Sequence, residues 1–84
     1  MMTTEAVEVR LAGLLARYRP ADDVVRPDEV IRVAPGRSVI AVAAAIGIPR
    51  QQPFVAVVNG RTSDLSFVLA PGDRLTLIPP IAGG

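Results

Sequence analysis

Residues 38–49 constrain the fold most, because they carry both the start signal and the stop signals of one short helix. Ser38 is a residue type that caps helix N-termini, and Gly47 followed by Pro49 is typical of a helix end. The apolar residues between them recur at the helical spacing i, i+3, i+4 and i+7: Val39, Val42, Ala43 and Ile46. The sequence therefore predicts one helix that begins after Ser38 and ends before Gly47.

Short segments on both sides of this helix have the character of β-strands. In residues 7–11 the apolar side chains alternate with Glu8 and Arg10, which predicts a strand with one buried face. Further strands are predicted at residues 30–33, 54–58, 66–69 and 74–78. The order β-β-α-β-β-β predicts an α+β fold of two layers, in which the helix covers one face of a sheet. We expect the first and last strands to lie side by side.

Two connections have local signals of their own. Asn59-Gly60 is a dipeptide that tolerates positive φ, and it predicts a hairpin after the strand at residues 54–58. Residues 12–19 fit either a continued strand or one to two turns of helix, and Pro20 ends the segment. Residues 20–29 are rich in Pro and Asp and predict a polar connection, in which paired acids such as Asp22 and Asp23 are solvated.

The composition excludes several classes of function. The 84 residues predict a single domain, and the chain contains no Cys, His, Lys or Trp. Without thiols and imidazoles the chain lacks the commonest catalytic bases and metal ligands, so we expect neither self-contained catalysis nor a bound metal. The net charge is only +1, and Arg17-Tyr18-Arg19 is the one local basic cluster, so no nucleic-acid contact is expected.

The N-terminal residues do not have the basic start and apolar stretch of a signal peptide. The longest apolar run, residues 39–48, is also far shorter than the roughly 18 residues of a transmembrane helix. These features predict a cytoplasmic protein with no membrane contact.

The C-terminus is the segment with the clearest chemistry. An apolar strand runs into Pro79-Pro80, and Ile81 and Ala82 then precede a terminal Gly83-Gly84. The proline pair favours a stiff, extended exit from the sheet, and residues without Cβ pass through narrow slots. The carboxylate of Gly84 has a reference pKa of about 3.3 to 3.7 and is ionised at neutral pH, so it needs activation before acyl transfer. Adenylation by ATP followed by sulfur attack would give a thiocarboxylate.

Three features together resemble the ThiS/MoaD family of ubiquitin-like sulfur carriers. They are the Val58-Asn59-Gly60 turn, residues 69–73 (Leu-Ala-Pro-Gly-Asp) and the ending at residues 78–84. The resemblance covers nearly the whole chain. It implies a β-grasp fold, a mixed sheet of four to five strands packed on one principal helix, in one domain (1–84) with an extended C-terminal tail (79–84).

The resemblance also implies the roles of particular residues. Gly84 would be adenylated by a ubiquitin-activating-type enzyme and would carry the sulfur, while Gly83 would permit passage into the partner's active site. Ala82, Ile81 and Pro80 would line the docking contact. Exposed apolar residues on the outer sheet face would also bind the partner, and the candidates are Phe67 and Leu69. No cofactor is expected on the chain, because ATP and Mg²⁺ would be used by the activating partner, together with a sulfur donor.

Several pathways use carriers of this kind. The Pro-Pro form of the tail is more similar to the small subunit of molybdopterin synthase than to the thiamine-thiazole carrier. The acceptor would then be the large subunit of molybdopterin synthase; the alternatives are thiazole synthase or an enzyme of another sulfur metabolite. Two readings without sulfur transfer remain: a non-covalent β-grasp interaction module, and a ubiquitin-like modifier of lysines on other proteins.

Overall fold

The computed structural model describes residues 5–18 and 30–80. Its elements in chain order are β1 Val7–Leu11, a 3₁₀ helix Gly13–Tyr18, β2 Ile31–Val33, α1 Val39–Ile46, β3 Val55–Val58, β4 Arg61–Ser63 and β5 Arg74–Ile78. The helix and the first and last strands have the bounds that the sequence predicts.

The five strands form one sheet in the order β2-β1-β5-β3-β4. β1 and β5 are parallel, with Leu11 opposite Leu77, and the other neighbouring strands are antiparallel. The predicted adjacency of the first and last strands is confirmed. β5, which leads into the C-terminal tail, is bonded to β1 on one edge and to β3 on the other, so it lies at the centre of the sheet.

The core lies between α1 and one face of the sheet. Because strand side chains alternate between faces, every second residue of the central strands is buried. These buried residues are Val7, Val9, Ala56, Val58, Leu75 and Leu77, and α1 adds Val39, Val42 and Ala43. Each buried Val or Leu side chain stabilises the fold by about 1.5–3 kcal/mol relative to exposure. The buried core of the described residues therefore consists of aliphatic side chains.

Both ends of α1 are capped as the sequence predicts. The Ser38 hydroxyl accepts a hydrogen bond from the backbone N–H of Ala41 at 3.2 Å. The N–H groups of Val39 and Ile40 donate to the carbonyls of Phe67 and Leu65, both at 2.9 Å. At the other end Gly47 has φ +109° and its N–H donates to carbonyls of the last turn. The backbone N–H groups of the first turn therefore all have acceptors, and Gly47 ends the helix.

The segment at residues 12–18, for which the sequence fits either a strand or a helix, contains a 3₁₀ helix, Gly13–Tyr18. Leu15 is fully buried and belongs to the core cluster, and its N–H donates to the Ala12 carbonyl at 3.1 Å. Gly13 has φ +56°, which allows the sharp change of direction after β1.

The predicted strand at residues 66–69 is wrong, although the hairpin at Asn59-Gly60 is confirmed. The strand that pairs with β3 is Arg61–Ser63, immediately after the turn. Residues 66–69 form one isolated bridge, between Ser38 and Val68. The physical reason is that the backbone groups of this segment bond to the start of α1 and the residues before it, including Leu69 N–H to the Arg37 carbonyl at 2.8 Å.

Candidate functional site

The candidate site is the C-terminal tail, and the structure describes its base. Pro79 is half-buried and Pro80 is exposed, and together they follow the central strand β5. Gly84, Gly83, Ala82 and Ile81 lie outside the described residues, so their roles stay predictions. Because proline donates no backbone N–H, the sheet hydrogen bonding of β5 does not continue into the pair.

The base of the tail packs against the 3₁₀ helix. The Ala12 N–H donates to the Leu77 carbonyl at 2.9 Å, which holds the turn beside the end of β5. A Cβ on Gly13 would lie 3.1 Å from Pro79 Cγ and 3.5 Å from Pro79 Cδ. The first distance is tighter than ordinary van der Waals contact. A side chain at position 13 would therefore crowd the ring of Pro79.

A hydrogen bond ties the other end of the 3₁₀ helix to the segment after α1. The Tyr18 hydroxyl donates to Gln52 Oε1 at 3.3 Å, and Gln52 Nε2 donates to the Pro53 carbonyl at 2.9 Å. Tyr18 also packs its ring against the core. The sequence does not predict this contact, because its partners are 34 positions apart and neither belongs to a local motif.

Exposed apolar side chains flank the base of the tail. Leu14 is 73% exposed on the 3₁₀ helix beside Gly13, while Val55 and Ile78 pair across β3 and β5 and are each 36% exposed. Leu14 and Val55 are not predicted as contact residues from the sequence, and Ile78 enters only as part of the ending at residues 78–84. The alternation within β3 and β5 was a usable signal for Val55 and Ile78, since both lie out of phase with the buried positions.

Of the two predicted docking residues, only Phe67 has an exposed side chain. Phe67 is 43% exposed, whereas Leu69 is 1% exposed and belongs to the core cluster. The prediction that Leu69 offers an exposed contact on the outer sheet face is wrong. Residues 66–69 run beside the start of α1 rather than along the sheet, and Leu69 turns into the core there. Phe67 keeps its predicted exposure but does not lie on the outer sheet face.

Phe67 belongs to a second group of exposed apolar residues, around the start of α1. Ile40, Leu65, Phe67 and Val68 are between 40% and 58% exposed. An open groove of about 670 Å³ lies beside β4, and Phe67 and Ser66 form part of its lining. Val58 and Asn59, beside the start of β5, line the same groove as Phe67, so Phe67 lies toward the opposite end of β5 from the tail base.

The motif residues Asn59 and Asp73 hold two turns together. Asn59 Nδ2 donates to Asp73 Oδ1 at 2.9 Å, and Asn59 Oδ1 accepts from the Arg74 N–H at 2.9 Å. The second carboxylate oxygen of Asp73 accepts from the Ala70 N–H at 2.8 Å. These two residues, which contribute to the resemblance noted above, therefore fix the end of the sheet where β5 starts.

Neither a metal cluster nor a membrane helix is found in the part of the chain that the structure describes. Among residues 5–18 and 30–80, no group of three acidic, His or Cys side chains is placed to hold a metal ion. Within those same two ranges, α1 and the 3₁₀ helix are both too short to cross a membrane.

Comparisons with known proteins agree with the fold. A model of the ThiS family matches residues 13–84, which include the tail. The solution structure of the Haloferax volcanii HVO 2177 protein is 20% identical with a TM-score of 0.67, covering 96% of this chain and 88% of that one. The crystal structure of SAMP1 from Haloferax volcanii is 23% identical with a TM-score of 0.61, covering 94% and 99%. No curated protein sequence matches. The predicted β-grasp architecture is confirmed.

Proposed function

Because the chain belongs to the ThiS family, we propose that it is a sulfur carrier whose C-terminal Gly84 is activated and converted to a thiocarboxylate by partner enzymes. The observation that carries the proposal is the Gly83-Gly84 end after a proline pair, joined to the central strand of a β-grasp sheet. The chain is then a carrier or non-catalytic subunit rather than an enzyme.

The chemistry needs two steps. First, a carboxylate oxygen of Gly84 attacks the α-phosphorus of ATP, so that an acyl-adenylate forms and pyrophosphate leaves. Second, a hydrosulfide ion attacks the acyl carbon, AMP leaves with the bonding electrons, and loss of the sulfur-bound proton gives the thiocarboxylate. ATP and Mg²⁺ belong to the activating enzyme. The carrier contributes a carboxylate that is unhindered by side chains at its last two positions.

The base of the tail offers the surface that such a partner would contact. Pro80 is exposed, and Leu14, Val55 and Ile78 place apolar side chains around the point where the tail leaves β5. We propose that the activating enzyme binds these residues together with Ile81 and Ala82, while Gly83 and Gly84 enter its active site. Phe67, at the far end of the sheet, would contact a second partner or a larger one.

For the pathway, we propose molybdopterin biosynthesis, with the large subunit of molybdopterin synthase as the acceptor. The Pro79-Pro80 pair supports this choice over the thiamine-thiazole carrier through the resemblance described above. Thiazole synthase, or an enzyme of another sulfur metabolite, is the alternative acceptor. Acceptor assays with the thiocarboxylated protein distinguish them, because only the correct enzyme consumes the thiocarboxylate and releases the carboxylate form.

The test is the intact mass of the protein after incubation with ATP, Mg²⁺, hydrosulfide and an activating enzyme that works on its own carrier. The expected result is a mass gain equal to the replacement of one oxygen by sulfur. A chain that lacks Gly84 should show no gain under the same conditions. The proposal fails if every activating enzyme encoded beside the protein leaves its mass unchanged.

A non-covalent interaction module is the second candidate, and the exposure of Phe67 beside the groove next to β4 favours it. Under that function, deletion of Gly83 and Gly84 leaves the affinity for the partner intact. A ubiquitin-like modifier would instead give covalent conjugates to lysines of other proteins, since the chain has no lysine itself. Denaturing gels that resolve such conjugates separate this reading from sulfur carriage.

A further inference from the structure

The contact between Gly13 and Pro79 lies where the tail begins. Gly13 has φ +56°, and a Cβ there would lie 3.1 Å from Cγ of the Pro79 ring. Real Cβ contacts are seldom so short, so a side chain at position 13 would displace either the turn or the proline. A larger residue at position 13 therefore requires a shift of a few tenths of an ångström, and its φ of +56° is strained for any residue with a Cβ.

The turn that carries Gly13 is fixed on several sides and does not yield easily. The Ala12 N–H bonds to the Leu77 carbonyl, and Leu15 is completely buried in the core. Tyr18 bonds to Gln52 at the other end of the 3₁₀ helix. Pro79, in contrast, is followed by the exposed Pro80 and has left the hydrogen bonding of the sheet. If a side chain at position 13 crowded this contact, Pro79 would therefore move rather than the turn.

We propose that Gly13 is a positioning residue for the C-terminal tail. Because it has no Cβ, the ring of Pro79 seats directly on the 3₁₀ turn, and this contact sets the direction in which the chain leaves β5. The inference rests on the proposed function, since the direction of the tail matters only if a partner enzyme acts on its end.

The length of the tail makes its starting direction important. Residues 80–84 follow the contact, and five residues span at most about 17 Å when extended. A yield of a few tenths of an ångström at the Pro79 ring corresponds to a rotation of about 7°, which would shift the far end of an extended tail by roughly 2 Å. Displacements on the order of 1 Å at reacting groups already cost up to about 100-fold in rate. Partner binding would have to correct the shift, at the expense of affinity.

The experiment compares four variants with the wild-type chain: Gly13→Ala, Gly36→Ala, Pro79→Ala and the double variant Gly13→Ala/Pro79→Ala. Gly36 is the matched control, because it also has positive φ, at +98°, but has open space where a Cβ would lie. Two kinds of measurement are made: kcat and KM for adenylation of the tail by the activating enzyme in every variant, and the NMR contacts between position 13 and the Pro79 ring in the variants that keep the proline. Circular dichroism verifies that every variant is folded.

Gly13→Ala is expected to raise KM about ten-fold or more and to change the chemical shifts of Ile78 and Pro80, while Gly36→Ala stays within about two-fold of wild type. Truncating the proline ring removes the colliding atoms, so the double variant should be no worse than Pro79→Ala alone. A general loss of stability would not produce this rescue.

Two outcomes would overturn the positioning role of Gly13 and leave the proposed function intact. One is equal KM values for Gly13→Ala and Gly36→Ala; the other is a raised KM of Gly13→Ala that the added Pro79→Ala substitution does not lower. A wild-type chain that no activating enzyme adenylates would instead overturn the proposed function, and the positioning role with it. The NMR contact distinguishes the cases, because it reports on the seating of Pro79 without any enzyme.

Discussion

At the scale of single residues, Asn59 combines a backbone role with a side-chain role. Its φ is +51°, in the left-handed region, and its amide bonds both to Asp73 and to the Arg74 N–H. Asparagine tolerates this conformation better than most residues, because its short polar side chain bonds locally. The same residue therefore shapes the hairpin turn and attaches it to the start of β5.

Two substitutions separate these roles. Asn59→Gly keeps the permitted backbone but loses two hydrogen bonds, each worth about 0.5–1.5 kcal/mol. Asn59→Ala loses the same bonds and adds left-handed strain of about 1–2 kcal/mol. Urea unfolding should therefore rank wild type, Asn59→Gly and Asn59→Ala in falling order of stability. Equal stabilities of the two variants would show that the backbone carries no strain at this turn.

Leu69 and Phe67 are two positions apart, but their substitution by alanine should affect different properties. We expect Leu69→Ala to lower mainly the stability and Phe67→Ala to lower mainly the affinity for a partner. Leu69→Ala should lower the free energy of unfolding by about 2–5 kcal/mol, because it opens a cavity in the core. Phe67→Ala removes a side chain that is 43% exposed, so we expect a smaller loss of stability and a weaker affinity for a partner. Thermal unfolding and a binding titration measure the two effects. A stability loss of Phe67→Ala as large as that of Leu69→Ala would make Phe67 a core residue.

Leu14 tests the proposed contact surface at the tail base. Since its side chain is 73% exposed, Leu14→Ser should change stability by no more than about 0.5 kcal/mol. It should nevertheless raise KM for adenylation, because the activating enzyme loses an apolar contact. Leu65→Ser, in the exposed group around the start of α1, is the control and should leave that KM unchanged. Equal KM values for both variants would place the contact elsewhere.

At the scale of elements, α1 is stabilised at its N-terminus by two different kinds of acceptor. The Ser38 hydroxyl takes one N–H, while carbonyls of the 65–67 segment take two others. The loop between β4 and β5 thus supplies hydrogen-bond acceptors to the first turn, in addition to the acceptor that the cap residue provides.

This division predicts unequal effects at the two ends of the helix. Ser38→Ala should cost about 0.5–1 kcal/mol, the lower part of the usual range, because only the Ala41 N–H loses its partner. Gly47→Ala should cost about 1–3 kcal/mol, because φ +109° is a strained conformation for alanine. Chemical denaturation of both variants measures the difference. A larger loss at Ser38 would mean that the loop carbonyls do not hold the first turn without its cap.

At the scale of the whole molecule, the core that the structure describes is built from elements that precede the tail. Among residues 5–18 and 30–80 the last buried residue is Leu77, and Pro79 and Pro80 follow β5. Deletion of Gly83 and Gly84 should therefore change the unfolding free energy by no more than about 0.5 kcal/mol, and under the proposed function it should abolish thiocarboxylate formation. A matched pair of thermal melts checks the first part. A large stability loss would mean that the tail end packs on the domain.

Much of this architecture could be predicted from the sequence where the signals are local. The caps of α1, the alternation in β1 and the Asn59-Gly60 turn each depend on residues close together in the chain. The segment at residues 66–69 has strand composition, but its hydrogen bonds go to the start of α1. No local pattern in the sequence predicts those partners. The seating of Pro79 on Gly13 joins positions 66 apart, and the burial of Leu69 likewise depends on neighbours distant in sequence.

The central position of β5 also determines when the molecule is able to fold during its synthesis. β5 is the last strand to be made, and it lies between β1 and β3, with Glu8 opposite Arg74 at a separation of 66 residues. Until the ribosome has made β5, β1 and β3 have no common neighbour, and the core lacks Leu75 and Leu77. Pairings this distant in sequence also form slowly. The sheet is therefore completed only after β5, the strand that leads directly into the C-terminal tail, has been synthesised.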